Sequence, residues 1–366
     1  MPPVRDRRLP GAARHSAEPN KGLSSPQVMP WRDRQCHHRG AFLTVIGNAL
    51  DGVEADVLYT TFGLRIFWLK APGLQADCFR VYNDWLAEFV GYDRKHMAGL
   101  PMISLYDPKA GARELERCAK MGLKGAMIWC SPPEDQPYSS DIYDPFWAAA
   151  QELKMPVSLH AITGMGMESQ YNWGERYMRA TVLSHEVEKS FSVLIFSGVL
   201  DRFPQLQIVS AENNIGWLPY YLQRMDRALA RQRTAAGFTN KLKPSEYFQR
   251  QMWATYIDDF VGVQSRQFIG VDKLMWSSDY PHQASTWPHS QEVVARDFKD
   301  ASAEDKFKIT RGNAARLYGF DAWPGPCPAA KKTGCEGGQA AVAQVSESNA
   351  ACSTTVGVAF SCLSGG

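Results

Sequence analysis

The amino-acid sequence predicts an α/β fold, a (β/α)8 barrel that lacks or replaces its first strand. Short, almost continuous apolar runs alternate with segments whose apolar residues recur three and four apart. The first pattern suits strands buried on both faces, and the second suits helices that cover them. Seven such strands can be counted, one short of a closed barrel. Three of them deliver reactive groups: Met155-Pro-Val-Ser-Leu-His160 ends on an imidazole, Leu206-Gln-Ile-Val-Ser-Ala-Glu212 ends on a carboxylate, and Leu274-Met-Trp276 is followed by Ser277, Ser278, Asp279 and His282. In barrel enzymes the C-terminal ends of the strands form the catalytic rim.

Residues 1–40 are rich in Arg, Pro, Ser and Gly and carry Pro2, Pro3, Pro10, Pro19, Pro26 and Pro30 without a hydrophobic period. They are expected to be disordered or loosely draped. Residues 41–50 read as a helix or loop leading into Asp51-Gly52, so the missing strand should precede Ala55. The expected strands are then Ala55–Tyr59, Met97–Leu105, Leu123–Trp129, Pro156–Ala161, Gln207–Glu212, Met252–Ile257 and Lys273–Ser278. Helical spacing is clear at Phe79, Tyr82, Leu86 and Phe89, and again at Phe146, Trp147, Ala150 and Leu153. Asp107-Pro108 and Asp144-Pro145 read as helix starts, with an oxygen acceptor at the cap and a proline in the first turn. Pro281 cannot extend a strand and marks the turn into a loop. After residue 320 the composition shifts to Gly, Ala, Ser, Thr and Cys, as in Lys331-Lys-Thr-Gly-Cys-Glu-Gly-Gly338, so residues 321–366 are expected to be a low-complexity, disordered tail without material for a core. The barrel domain is assigned to residues 41–320.

With 366 residues and 45% hydrophobic content, the chain is long enough for one barrel of roughly 250 residues plus extensions. Forty basic and 38 acidic residues leave a formal charge of +2 with no long single-sign block. Neither nucleic acid nor an anionic membrane is therefore an expected partner, and a small molecule is. No apolar run approaches the roughly 18 residues of a membrane helix, and the first thirty residues lack the apolar centre of a secretion signal, so the expected location is the cytoplasm. None of the eight cysteines sits in a CxxC pair; they read as free thiols, and a structural zinc site among them is not expected.

Tyr82-Asn-Asp-Trp-Leu-Ala-Glu88, Tyr143-Asp-Pro-Phe-Trp147, Pro156-Val-Ser-Leu-His160, Gly198-Val-Leu-Asp-Arg-Phe-Pro204, Ala211-Glu212, Gly216-Trp-Leu-Pro219, Trp276-Ser-Ser-Asp-Tyr-Pro-His282 and Gly312-Asn-Ala-Ala-Arg-Leu-Tyr-Gly319 occur in this order. Together they resemble the amidohydrolase-related, or amidohydrolase 2, family, which includes the aminocarboxymuconate-semialdehyde and resorcylate-type decarboxylases. The resemblance covers about Asp51 to Phe320. It implies a barrel with a divalent metal, Zn or Mn, at the strands' C-terminal mouth, with His160 and Asp279 as matching metal-binding positions. Glu212 stands where many relatives have a His. Family members usually open with a strand ending in His-x-His or acid-x-His, because residues two apart on a strand point the same way and can reach one ion. No such pair follows a strand-like run here: His37 and His38 are adjacent, and Ala13-Arg-His-Ser-Ala-Glu-Pro19 has Ala13 where the acid belongs.

The expected site therefore comprises His160, Glu212 and Asp279 as metal ligands, with Asp279 and His282 as acid-base groups. The plainer alternatives are a His160 bonded to a backbone carbonyl, a Glu212 paired with Arg224, and a His282 that pins the Pro281 loop. His185 is expected at a solvent-facing helix start, Arg224 and Asp226 in surface or intersubunit pairs, and Trp217, Trp276 and Trp287 in packing. The expected activity is non-oxidative decarboxylation or hydrolysis of a small aromatic or unsaturated organic acid, with a homodimer as the assembly to test. The alternative expectation is a non-catalytic or truncated relative lacking the first-strand ligands.

Overall fold

A computed structural model describes residues 41, 44–165, 180–232, 240–282, 284–320 and, for the backbone alone, 359–363. His15, His37 and His38 lie outside these residues. Residues 44–50 are helical and Asp51-Gly52 makes the turn into β1, Val53–Leu58. The other expected strands follow in shorter form: β2 Met97–Gly99, β3 Ala126–Ile128, β4 Val157–His160, β5 Ile208–Ala211, β6 Met252–Tyr256 and β7 Leu274–Trp276. From β2 to β7 every strand residue is buried, which is why these runs read as apolar without alternation.

All neighbouring pairs from β3 to β7 are parallel and hydrogen-bonded in sequence order. β1 pairs in parallel with β2, and a bridge between Met102 and Met127 joins that pair to β3. Helices separate the strands and lay their apolar faces on the sheet. In Pro72–Val90 the residues Phe79, Tyr82, Leu86 and Phe89 are all buried, each contributing up to about 1.5–3 kcal/mol relative to exposure. Gly99 belongs to this packing: a Cβ there would lie 2.8 Å from the Leu86 side chain.

Asp107 caps Pro108–Lys120 by accepting from the Lys109 and Ala110 amides. Asp144 differs from expectation. A 3-10 turn, Asp141–Tyr143, runs directly into the helix Asp144–Glu152, so Tyr143 holds the cap position and the Asp144 carboxylate is free to pair with Arg202 at 2.8 Å.

The eighth strand is not in the described residues ahead of Val53. β8, Ala359–Leu363, comes instead from the C-terminal tail and pairs antiparallel with β1, Val57 opposite Phe360. β8 also contacts β7, and so it stands between the last and first parallel strands. Among the described residues no ladder closes β7 onto β8, and the barrel consists of two sheets, β2-β1-β8 and β3-β4-β5-β6-β7. The rest of the tail lies outside the described residues. No described helix is long and apolar enough to cross a membrane.

Candidate active site

Parallel register carries the site. His160 is the last residue of β4 and lies beside Ala211 of β5, which puts Glu212 one step further along the same rim. Tyr256 of β6 lies beside Trp276 of β7, and Asp279 follows three residues later. Glu212 and Asp279 both have left-handed backbone, with φ of 61° and 56°. Such conformations are costly outside glycine and cluster where a side chain must be aimed. The Glu212 amide is held by the Thr255 hydroxyl at 3.1 Å.

His160 is fully buried. Its Nδ1 donates to the Ala161 carbonyl at 2.7 Å, which leaves Nε2 as a bare lone pair. The backbone-bonded histidine of the plainer reading is thus present, but only on one ring nitrogen. Burial pulls the imidazole down to about 4, so at neutral pH it is uncharged. Nε2 faces Glu212 Oε2 across 3.2 Å. Burial, reinforced by the Asp279 charge, pushes the Glu212 carboxyl well above the usual carboxylate range. Asp279 is 1% exposed; its Oδ1 is 2.9 Å from His282 Nδ1. That hydrogen bond raises the His282 pKa. His282 Nε2 meets the Thr61 hydroxyl at 3.0 Å.

Glu212, Asp279 and His282 offer ligand atoms within 4.8 Å of one another, and His160 adjoins the group through Glu212. Three atoms here are buried without a hydrogen bond: His160 Nε2, Glu212 Oε2 and Asp279 Oδ2. The Tyr59 ring packs 5.2 Å from the His160 ring, and its hydroxyl bonds Ser158 at 2.8 Å.

The other named residues stand apart. Arg224 bonds Tyr220 rather than Glu212, and Asp226 accepts from the Ser245 amide and hydroxyl. His185 is exposed at the start of His185–Phe196. Trp217 donates to Asn213 O and Trp287 to Gly47 O, while Trp276 is buried. Cys78, Cys118 and Cys130 are free thiols. The sequence reading missed Thr61, Thr255 and Tyr59. Thr60-Thr61 reads as an ordinary helix start, and nothing in the sequence reveals that a segment after β1 lies beside the loop after β7.

An α/β enzyme whose parallel strands present an imidazole and two carboxylates on one rim is the class that this architecture defines. The amidohydrolase family model matches residues 64–320, and the chain belongs to the amidohydrolase-related family, as an enzyme of the hydrolase or carboxy-lyase kind. A γ-resorcylate decarboxylase of Polaromonas sp. is 28% identical over 276 residues, covering 69% of this chain and 82% of that one. A γ-resorcylate decarboxylase of Rhizobium sp. is 26% identical over 333 residues, covering 84% and 97%. Among solved structures, a 2,6-dihydroxybenzoate decarboxylase from Rhizobium superposes with a TM-score of 0.66 at 24% identity over 76% of this chain and 88% of that one. A dihydroxybenzoic acid decarboxylase from Polaromonas sp., with bound manganese and the inhibitor 2-nitroresorcinol, gives a TM-score of 0.65 at 24% identity, covering 76% and 86%.

Proposed function

We propose that the protein is a divalent-metal-dependent, non-oxidative decarboxylase of a small hydroxylated aromatic acid. One observation carries this reading. A neutral imidazole lone pair and a carboxylate oxygen, both acceptors, face each other at 3.2 Å with no hydrogen bond, beside a third bare oxygen on Asp279. Acceptors arranged like this repel unless a proton or a cation sits among them, and an N/O donor set of this kind suits Zn or Mn. The manganese in the Polaromonas structure points the same way.

The residues that would hold the ion are His160 through Nε2, Glu212 through Oε2 and Asp279 through Oδ2. Geometry alone would also admit His282, but both of its ring nitrogens are engaged, by Asp279 and Thr61. His282 is therefore assigned to acid-base work. A bound divalent ion supplies positive charge that orients the substrate's carboxylate and adjacent oxygen. Asp279, which receives a proton at Oδ1 from the His282 imidazolium 2.9 Å away, delivers it to the ring carbon bearing the carboxylate. The carbon–carbon bond then breaks, its electron pair leaves with the ring, carbon dioxide departs, and the ring regains aromaticity with the new C–H bond in place. His282 is left neutral, with Nε2 on the Thr61 hydroxyl, and takes up the next proton from solvent.

Hydrolysis is the runner-up, because the same donors could activate water. The non-catalytic alternative is not favoured, since the curated relatives are decarboxylases and Glu212, Asp279 and His282 bring ligand atoms within 4.8 Å of one another. The deciding experiment loads the full chain with Mn²⁺ or Zn²⁺ and follows carbon dioxide release over a panel of mono- and dihydroxybenzoates. Release from at least one acid that depends on the metal is expected. Ester or amide cleavage without carbon dioxide release would replace this function with the hydrolase.

A further inference from the structure

The segment Phe62–Trp68 follows β1 and reaches loops on two sides of the site. At its far end the Trp68 indole donates to Ile162 O, in the loop after β4, at 2.8 Å. At its near end two consecutive threonines divide the work. Thr60 Oγ1 accepts from the Gly63 amide at 3.0 Å and so performs the capping that the helical turn needs. Thr61 occupies the N-cap position itself, yet its side chain makes no capping bond. Its hydroxyl instead meets His282 Nε2 at 3.0 Å, and His282 Nδ1 meets Asp279 Oδ1 at 2.9 Å.

We propose that Thr61 is the positioning residue of the Asp279–His282 pair, an inference that rests on the function proposed above. The outer torsion of a histidine is broad and roughly two-fold, so a ring anchored at one nitrogen can turn over. Anchors on opposite nitrogens remove that freedom. With Nε2 held by Thr61, Nδ1 stays on Oδ1, and Asp279 keeps its second oxygen, Oδ2, without a hydrogen bond and available to an ion shared with Glu212. Partners that orient a metal ligand in this way are worth about 10- to 100-fold in metal affinity when removed.

The test compares Thr61→Val, which keeps the shape and loses the hydroxyl, with Thr61→Ser, which keeps the hydroxyl and loses the methyl. Mn²⁺ affinity is read by electron paramagnetic resonance, and kcat and KM by carbon dioxide release. Thr61→Val should weaken Mn²⁺ binding by about tenfold and lower kcat by about tenfold with KM moved less than about threefold. Thr61→Ser should stay within about twofold of the parent in both. In the metal-free protein, long-range ¹H–¹⁵N spectra should show one His282 tautomer in the parent and in Thr61→Ser, and a mixture in Thr61→Val. Parent-like Mn²⁺ affinity and parent-like His282 signals in Thr61→Val would overturn the assignment. So would a Thr61→Ser protein as impaired as Thr61→Val, which would trace the effect to methyl packing. Failure of the parent to decarboxylate any acid tested would count against the proposed function alone, because metal affinity and the His282 signals still decide the role of Thr61.

Discussion

The Nε2 atom of His160 lies 3.2 Å from Oε2 of Glu212, and neither has a hydrogen-bond partner. Because Nδ1 of His160 is already spent on the Ala161 carbonyl, Nε2 can only accept. The pair is therefore tolerable in a metal-free protein when Glu212 keeps its proton, and in a loaded one when a cation takes that place.

This competition between proton and metal has a pH signature. The Glu212 carboxyl is raised from 4.5, so between its unfolded and folded pKa values the native state holds a proton that the unfolded chain has released. Its contribution to stability is present at low pH and lost as pH rises through that window. His160 is lowered from 6.5 to about 4 and acts oppositely, adding stability as pH rises toward 6.5 and nothing beyond. From pH 6.5 upward, to about pH 8, Glu212 acts together with His282, whose pKa its hydrogen bond to Asp279 raises above 6.5 and whose contribution is likewise lost as pH rises. The unfolding free energy of the metal-free protein, from urea titrations, should fall across this range by on the order of 1 kcal/mol, and Glu212→Gln should make the decline shallower, leaving the share of His282. Adding Mn²⁺ should likewise make the decline shallower. An equally steep decline in Glu212→Gln would refute the link.

Asp279→Asn tests the proposed role of Asp279 as proton carrier and metal ligand together. Asn tolerates left-handed backbone as Asp does, so the φ of 56° is no obstacle to the exchange. Carbon dioxide release should drop by about 10²-fold or more, with the melting temperature held within about 3 °C. Turnover at the parental rate would take Asp279 out of the chemistry.

How far the site could be read from the sequence follows from which interactions are local. His160, Glu212 and Asp279 were legible because each directly ends or follows an apolar strand, and parallel strands place their C-terminal ends on one rim by construction. The role of Asp144 was not: a proline in the first turn looks the same whether the preceding residue caps the helix or a 3-10 turn does. The Thr61–His282 contact spans 221 positions, and no spacing rule reaches that far. β8 escaped for a similar reason. Ala359–Leu363 sits in a segment with little large apolar content, and its pairing is made by backbone, which carries no residue code.

Asn83, in the motif Tyr82-Asn-Asp-Trp85, illustrates a recognisable residue whose work is structural. Its side chain donates to Met102 O at 3.0 Å and accepts from Met102 N at 2.9 Å, acting as a strand partner where β2 has ended. It also donates to Glu114 at 2.9 Å, so it fastens the helix Pro72–Val90 to Pro108–Lys120. Asn83→Leu should cost about 1–3 kcal/mol, since it strands the backbone groups of a buried residue. Chemical denaturation measures this directly, and a loss below about 0.5 kcal/mol would mean that Met102 finds other partners.

The tail strand admits a similar test. β1 is nearly fully buried from Val53 to Leu58, and β8 covers its outer edge. An uncovered strand of this kind offers a row of free backbone groups to other chains. Placing proline at both 360 and 361 removes two successive amide donors. In an antiparallel strand neighbouring N–H groups point to opposite sides, so one of the two must face β1. The double variant, and a chain ended after Phe320, should both associate at concentrations where the parent is stable in size, as read by light scattering, and both should melt several degrees lower. If the shortened chain stays unassociated with an unchanged melting temperature, the β1 edge is closed by something other than Ala359–Leu363.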